Sequence, residues 1–462
     1  MNRLFSILLF FTSGLLLGQS DAGIQELSFN EFLGYVKKHH PLVKQADLKL
    51  SEAQATLMQA RGAFDPKLEA EFTEKQFSDK TYYSFFNSGF KIPTWYGIEL
   101  KAAFDNSEGI YINPENTIPE PGLTSLGVSV PIGQGLLINQ RMADVRKAKL
   151  LQNLNAAERD LEAIQVLYRA AVSYANWKRA FEEVALYQTY RGNAEVRQNG
   201  IRQLIALGDK PAIDSVEAGI TLQSRQLNLE EAQLKLTKAR LEVSNYLWLE
   251  NNVPLELTDD MVPEKQLRQS LEETLQQNLF SAEMLENHPK IKALNTKLEM
   301  LRVEQKLKAN MLLPQLDLSY YYLSEPDAFS NYRWEDYKIG LRFAVPLFLR
   351  KERAGLQLAK LKIQDSEYGL LFEKKQLENK IAAQQQEINS LKRQIQLNEN
   401  LVNDYQKMLA AEDRLFAIGE SSVFLINSRE NSLVSAQINS IGLENRYFTA
   451  LLNLYQTLAN PQ

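Results

Sequence analysis

The sequence predicts an internally duplicated α+β membrane protein, and three observations carry that prediction. His40-Pro41 opens a run rich in Ala, Leu and Lys that closes at Pro66; His288-Pro289 opens another that closes at Pro314, with 25 positions between the prolines in each copy. Each run leads into sequence that alternates apolar and polar residues. Each alternating stretch then gives way to a very long helical stretch without proline. Repetition on this scale decides the fold before any local motif does.

The N-terminus reads as an export signal spanning 1–20. Arg3 supplies the positive region, Leu4 to Leu17 a short apolar core, and Gly18-Gln19-Ser20 a small-residue cleavage site, so the processed chain is expected to begin at Asp21. A retained anchor is the alternative, but the apolar core falls short of the roughly 20 residues that span a bilayer. No later stretch is long and apolar enough for a transmembrane helix. Membrane residence after export therefore has to come from β-strands.

Composition narrows the chemistry. Of the 462 residues 44% are hydrophobic and 24% charged, which is a folded rather than a disordered chain. A net charge of −5 gives no basic face for phosphates, so no nucleic-acid partner is expected. There is no cysteine, which excludes disulfides, thiol catalysis, Cys-zinc sites and a lipidated cysteine. The only histidines are His39, His40 and His288, too few for a His-rich metal site, and two of them belong to the repeated His-Pro pairs. No phosphate-binding loop, dinucleotide fingerprint, nucleophile elbow or zinc-protease motif is present. No catalytic residue, metal site or cofactor is expected, and any transport energy must come from a partner.

Element by element, Ser28 and Glu31 form a capping box, repeated at Ser270 and Glu273. A helix of about 23 residues should follow each His-Pro pair, since proline fits a first helical turn. After Pro314 the period becomes 2: Leu316, Leu318, Tyr320 and Tyr322 share one face, and beyond a turn at 324–331 Tyr337, Ile339, Leu341 and Phe343 do the same. In the first copy Leu68, Ala70 and Phe72 alternate with Glu69 and Glu71, and Leu126, Val128 and Val130 with Gly127 and Ser129. Two further strand-like pieces, 82–92 and 95–105, lie between, in an insert of about 33 residues relative to the second copy. One apolar face and one polar face suit a membrane barrel strand; they also suit an ordinary antiparallel sheet with one wet face. Whether the insert adds strands or forms an outer hairpin is open at this level.

Pro131 and Pro346 close the strands, and helices are expected over 136–207 and 348–418. In the second, Ile381, Ile388, Ile395, Val402, Leu409 and Phe416 recur every seven residues, which is coiled-coil spacing. Glycine follows each helix, in Leu207-Gly208-Asp209 and Ile418-Gly419-Glu420. A return helix of about 40 residues should then run to Trp248 and to Leu458. The resulting division is a first repeat over 21–260, with strands at 67–131, a hairpin at 136–250 and its tip at 207–211. The second repeat covers 261–462, with strands at 315–346, a hairpin at 348–458 and its tip at 418–422. At 1.5 Å per residue, a 70-residue helix rises roughly 105 Å, which the shorter helix plus the return helix would nearly match.

Taken together, the His-Pro starts, the strands ending in Val-Pro-Ile and Val-Pro-Leu, Gly133-Gln134-Gly135-Leu136 before Asn139-Gln140-Arg141, and the glycine tips resemble the TolC-like outer-membrane efflux proteins. The resemblance implies a homotrimer with a shared β-barrel in the outer membrane of a Gram-negative bacterium and a long α-helical barrel in the periplasm. Family members commonly give four strands per chain to a twelve-stranded barrel. It also implies a periplasmic adaptor, which the tip residues Leu207, Gly208, Asp209, Ile418, Gly419 and Glu420 would meet, and an inner-membrane transporter. The family's gate uses carboxylates beyond the tip; here Leu425 and Ser428 stand at those places in the second copy. Asp214 and Glu217, three apart on one helix face, are the candidate constriction, with Arg202 tying helices together; a solvated charged face is the competing account. The expected role is a passive exit duct for small molecules in tripartite efflux. The alternatives are the duct of a type I protein secretion system, or a periplasmic coiled-coil scaffold with no channel.

Overall fold

The computed structural model of the protein describes residues 25–276, 282–328 and 333–459. The expected signal at 1–20, the processed start at Asp21, the side chains of Ser270 and Glu273, and the end of the turn at 324–331 lie outside the described residues. The described residues fall into two compact units. One lies within Met1–Lys38, Ala170–Glu273 and Arg393–Phe448, the other within His39–Arg169, Thr274–Lys392 and Thr449–Gln462. Each unit draws on both halves of the sequence.

In chain order the elements are β1 (Gln25–Leu27), α1 (Phe29–His39), α2 (Pro41–Gly62), β2 (Lys67–Phe77), β3 (Lys80–Pro93), β4 (Glu99–Glu108) and β5 (Leu123–Pro131). Then come α3 (Gln140–Ala206), α4 (Ile213–Ser244), β6 (Met261–Pro263), α5 (Leu267–Gln276), α6 (Ala282–Asn287) and α7 (Pro289–Asn310). Last are β7 (Gln315–Ser324), β8 (Tyr337–Ala344), α8 (Arg350–Ala417) and α9 (Val423–Leu458). Helices and strands are long and segregated, as the change of period predicts.

The His-Pro pairs work as caps. His40 and His288 sit extended before the helix, and their Nδ1 atoms accept from the amides of Leu42 at 3.2 Å and Lys290 at 3.1 Å. Proline at the next position has no N–H to leave unpaired. Two expected helix starts shift for local reasons. α3 begins at Gln140 rather than Leu136 because Asn139 is the cap, its Oδ1 accepting from Met142 N at 2.9 Å. α8 begins at Arg350 because Leu349 stands at φ +47°. α4 ends at Ser244, short of Trp248, which instead bridges to Pro254.

The unit containing residues 170–273 and 393–448 has its core around Tyr174, which is fully buried. Its hydroxyl donates to Leu27 O at 2.5 Å and accepts from Glu264 N at 2.8 Å, joining the flanks of the parallel β1–β6 pair. Phe29 and Trp177 meet its ring edge-on, each with centroids 5.4 Å apart. Burial pushes the Tyr174 hydroxyl far above the usual phenol range, so it stays a donor. β1 and β6 are too short to show a period and were not expected.

In the other unit β2, β3, β4, β5, β7 and β8 form one six-stranded antiparallel sheet in that order. The insert left open in the sequence therefore supplies strands hydrogen-bonded within the sheet. The piece expected at 95–105 begins later, at Glu99, because Thr94 to Ile98 make a turn, with Thr94 N donating to Ile98 O at 2.9 Å. Register carries apolar residues across every strand: Leu68, Phe90, Ala102, Leu126, Tyr322 and Tyr337 are successive partners in one row. Below the sheet, Leu57, Val145 and Ala148 pack with Phe64 and Trp95, and Ile291, Leu377, Ile381 and Leu458 form a second cluster.

Candidate functional site

Both tips have the same backbone. Gly208 and Gly419 stand at φ +85° and +83°, in the left-handed region that glycine enters without a Cβ penalty. The following amides reach back five residues, Asp209 N to Leu204 O at 2.9 Å and Glu420 N to Leu415 O at 2.9 Å. This ending satisfies helix carbonyls that would otherwise lack donors. It leaves Leu207 75% and Ile418 69% exposed, apolar side chains with no cover in the chain. Asp209 and Glu420 are exposed beside them.

Beyond the first tip, Asp214 lies in the first turn of α4, half-buried, with Glu217 one turn on. Glu217 lines a groove of about 790 Å³ together with Asn398 and Tyr405 of α8 and Phe424, Asn427 and Ser428 of α9. The groove continues past Asn431, Ser432, Ser435 and Asn439, whose amides and hydroxyls are interleaved with Ile220, Leu401 and Ala436. Arg202 is exposed on α3, and among the described residues it makes no ion pair with Asp214 within one chain. The helix hairpin thus places Asp214 and Glu217 along one helix but does not tie Arg202 to them.

A buried ionic cluster that local reading of the sequence missed lies on the same helices. Glu430 of α9 is 1% exposed and accepts from Arg197 Nη2 of α3 at 2.8 Å and Nη1 at 3.2 Å. Arg225 of α4, also buried, approaches the same carboxylate at 3.5 Å and donates to Asn431 Oδ1 at 2.6 Å. Arg197 also donates to Asn427 Oδ1 at 3.2 Å, and Arg225 lies 5.8 Å from the Tyr190 ring centroid. The signal was present: Glu430 interrupts the stripe Val423, Ile426, Leu433, and Arg225 the stripe Ala218, Leu229, Ala232, all buried. A charge in line with core residues at helical spacing faces inward.

Among the described residues no group of His, Asp and Glu is placed to hold a metal. No described helix is long and apolar enough to cross a membrane.

Residues 281–460 match the family model of the outer membrane efflux proteins. That match covers the second half of the chain, from before His288 to the end of the last helix. No curated protein matches the chain in sequence. Among solved structures, the open state of the MtrE outer membrane channel of Neisseria gonorrhoeae is 15% identical over 94% of this chain and 89% of its own, with a TM-score of 0.69. The CmeC outer membrane channel of Campylobacter jejuni is 14% identical over 93% and 85%, with a TM-score of 0.66. VceC, an outer membrane protein of Vibrio cholerae, is 16% identical over 94% and 96%, with a TM-score of 0.65. At these identities the likeness is one of fold.

Proposed function

We propose that this chain is an outer membrane efflux protein, three copies of which form a channel whose sheets close into a β-barrel in the outer membrane and whose long helices close into an α-helical barrel in the periplasm. The two sequence repeats, 21–260 and 261–462, would each give strands and one helical hairpin to that body. The register of the six-stranded sheet carries the reading. Its strands put Leu, Phe, Tyr and Ile on one face and Lys, Glu, Asp, Arg and Ser on the other, and β2 and β8 are exposed along nearly their whole length. A membrane wall needs lipid-facing apolar residues alternating with lumen-facing polar ones. A soluble scaffold would leave that apolar face in water.

The channel is a passive exit duct for small molecules driven by an inner-membrane transporter through a periplasmic adaptor. The exposed Leu207-Gly208-Asp209 and Ile418-Gly419-Glu420 turns are the adaptor-docking surface, and Asp214 with Glu217 lines the constriction behind them. Arg202, unpaired with Asp214 inside one chain, would act there only between copies. Carbonate washing of isolated membranes tests the assignment: a channel stays until detergent is added, whereas a scaffold is released. Pull-down of the adaptor and transporter separates efflux from protein secretion.

A further inference from the structure

We propose that all six strands of each chain stand in the membrane wall, so that β8 of one copy closes on β2 of the next. The inference rests on the trimeric-channel reading and fixes which edges meet. It makes the barrel one of three copies of six strands rather than of four.

Edge availability is the first ground. If the strands inserted in the first half formed an outer hairpin, the wall of each chain would begin at β4, and β8 of a neighbour would have to pair there. Both edges of β4 are already taken, by β3 over Ser84–Pro93 and by β5 over Leu123–Ser129. Among the described strands of this sheet only β2 and β8 offer an unpaired edge. β2 runs away from the helices and β8 toward them, so the joint between copies is antiparallel like every other in the sheet.

The second ground is continuity. The row Leu68, Phe90, Ala102, Leu126, Tyr322, Tyr337 has one residue from each strand and no charge. A hairpin folded away into water would not keep Leu68, Phe72, Phe86 and Phe90 on the face shared by Leu126 and Tyr320. The base of the insert is also seated. Gly97, at φ +78°, lies where a Cβ would come within 3.0 Å of Gly135 O and Pro131 Cγ. Trp95 stacks on Phe64 with centroids 5.4 Å apart, and its carbonyl accepts from Asn139 Nδ2 at 3.0 Å. At the other end Ser78 and Asp79, at φ 51° and 56°, make the two-residue turn that matches strand twist.

Charge is the third. On the polar face β2 carries Glu69 and Glu71, and β8 carries Lys338 and Arg342; all four are exposed. Among the described residues Glu69, Glu71 and Arg342 have no ion-pair partner within the chain, while Lys338 acts on Asp105 of β4 at longer range. Glu69 is the third residue of β2 from its helix-side end and Arg342 the third of β8 from its own, so antiparallel pairing brings acid to base. Barrel diameter grows roughly linearly with strand number, so this wall is about 1.5 times as wide as a twelve-stranded one.

The cysteine-free chain makes the joint directly testable. Leu341→Cys is combined in turn with Leu68→Cys, Ala70→Cys or Phe72→Cys, and outer membranes are oxidised. At least one pair is expected to give a covalent trimer on a denaturing gel that reductant returns to monomer. Leu341→Cys combined with Leu100→Cys, Ala102→Cys or Phe104→Cys is expected to stay monomeric. Links to β4, or no link at all in protein that purifies from membranes as a trimer, overturn the proposal. Protein that is neither membrane-held nor trimeric overturns the channel reading itself and the proposal with it. As a second arm, Glu69→Lys with Glu71→Lys should lose the heat-resistant trimer, and adding Lys338→Glu with Arg342→Glu should restore it; loss without restoration counts against the pairing.

Discussion

Arg197 and Glu430 meet as a two-pronged pair between α3 and α9, at 2.8 and 3.2 Å, with the carboxylate shielded from solvent. Arg225, itself buried, shares that carboxylate from α4, so one negative charge serves two positive ones. Removing it strands both guanidinium groups. Glu430→Ala should cost about 3–5 kcal/mol, read as a fall in the thermal midpoint of the purified protein. Adding Arg197→Met and Arg225→Met should recover most of the loss, because an apolar replacement leaves no unpaired charge. A Glu430→Ala protein with an unchanged midpoint would show the cluster to be incidental.

His288 predicts a pH dependence. Burial pushes its imidazole below the usual histidine range, and the neighbouring Lys290 works in the same direction against the Thr457 carbonyl, which lies 2.9 Å from Nε2. A lowered folded pKa means the unfolded chain takes up the proton first. The stability this supplies is present above about pH 6.5 and lost as pH falls through the folded value. His288→Asn keeps a capping side chain and should flatten that dependence between about pH 7 and pH 5 while leaving stability at neutral pH nearly unchanged. Denaturant midpoints at the two pH values decide it.

Glu444 predicts the opposite sign. Desolvation raises its carboxyl above the ordinary value, and nearby Glu182 adds to the rise while Lys178 and Arg268 oppose it. Stability from the protonated form is present below the ordinary glutamate pKa and lost as pH rises through the raised one. Glu444→Gln should therefore be more stable than the native chain at neutral pH, and the gain should shrink on acidification. A loss of stability at neutral pH would mean that the charge is satisfied.

The tips separate docking from folding. Leu207→Ser with Ile418→Ser removes two exposed side chains, so the thermal midpoint should stay within about 0.5 kcal/mol of native. Efflux in cells should drop severalfold if these turns meet the adaptor. Gly208→Val forces a β-branched residue into the left-handed region and should cost about 1–2 kcal/mol even though space is open around it. Full efflux by the double serine variant would remove the tips from the docking surface.

For the constriction, Asp214→Ala and Glu217→Ala should each raise ionic current through channels in planar bilayers and weaken cation preference. Arg202→Ser should act only if Arg202 bridges copies. Wild-type currents from all three would leave them as solvated residues.

The helices were legible because their signals are local: seven-residue spacing from Ile381 to Phe416, His-Pro caps and glycine stops. Boundaries moved where a single side chain decided them, as Asn139 does for α3. The strands were legible as strands, but the place of the insert was not. Pairing of β3 with β4 depends on a turn at Thr94 to Ile98 and on seating against Asn139 and Pro131, which no local window contains. Glu430 and Arg225 escaped because each sits in a charge-rich helix where most such residues face water, and only the line of buried neighbours marks them.

The central claim is that the apolar sheet face meets lipid in a ring of three copies. Light scattering of the protein extracted from outer membranes measures this most directly. The account predicts that extraction requires detergent and that each particle holds three chains; a single-chain particle that is released and stays soluble without detergent would contradict it.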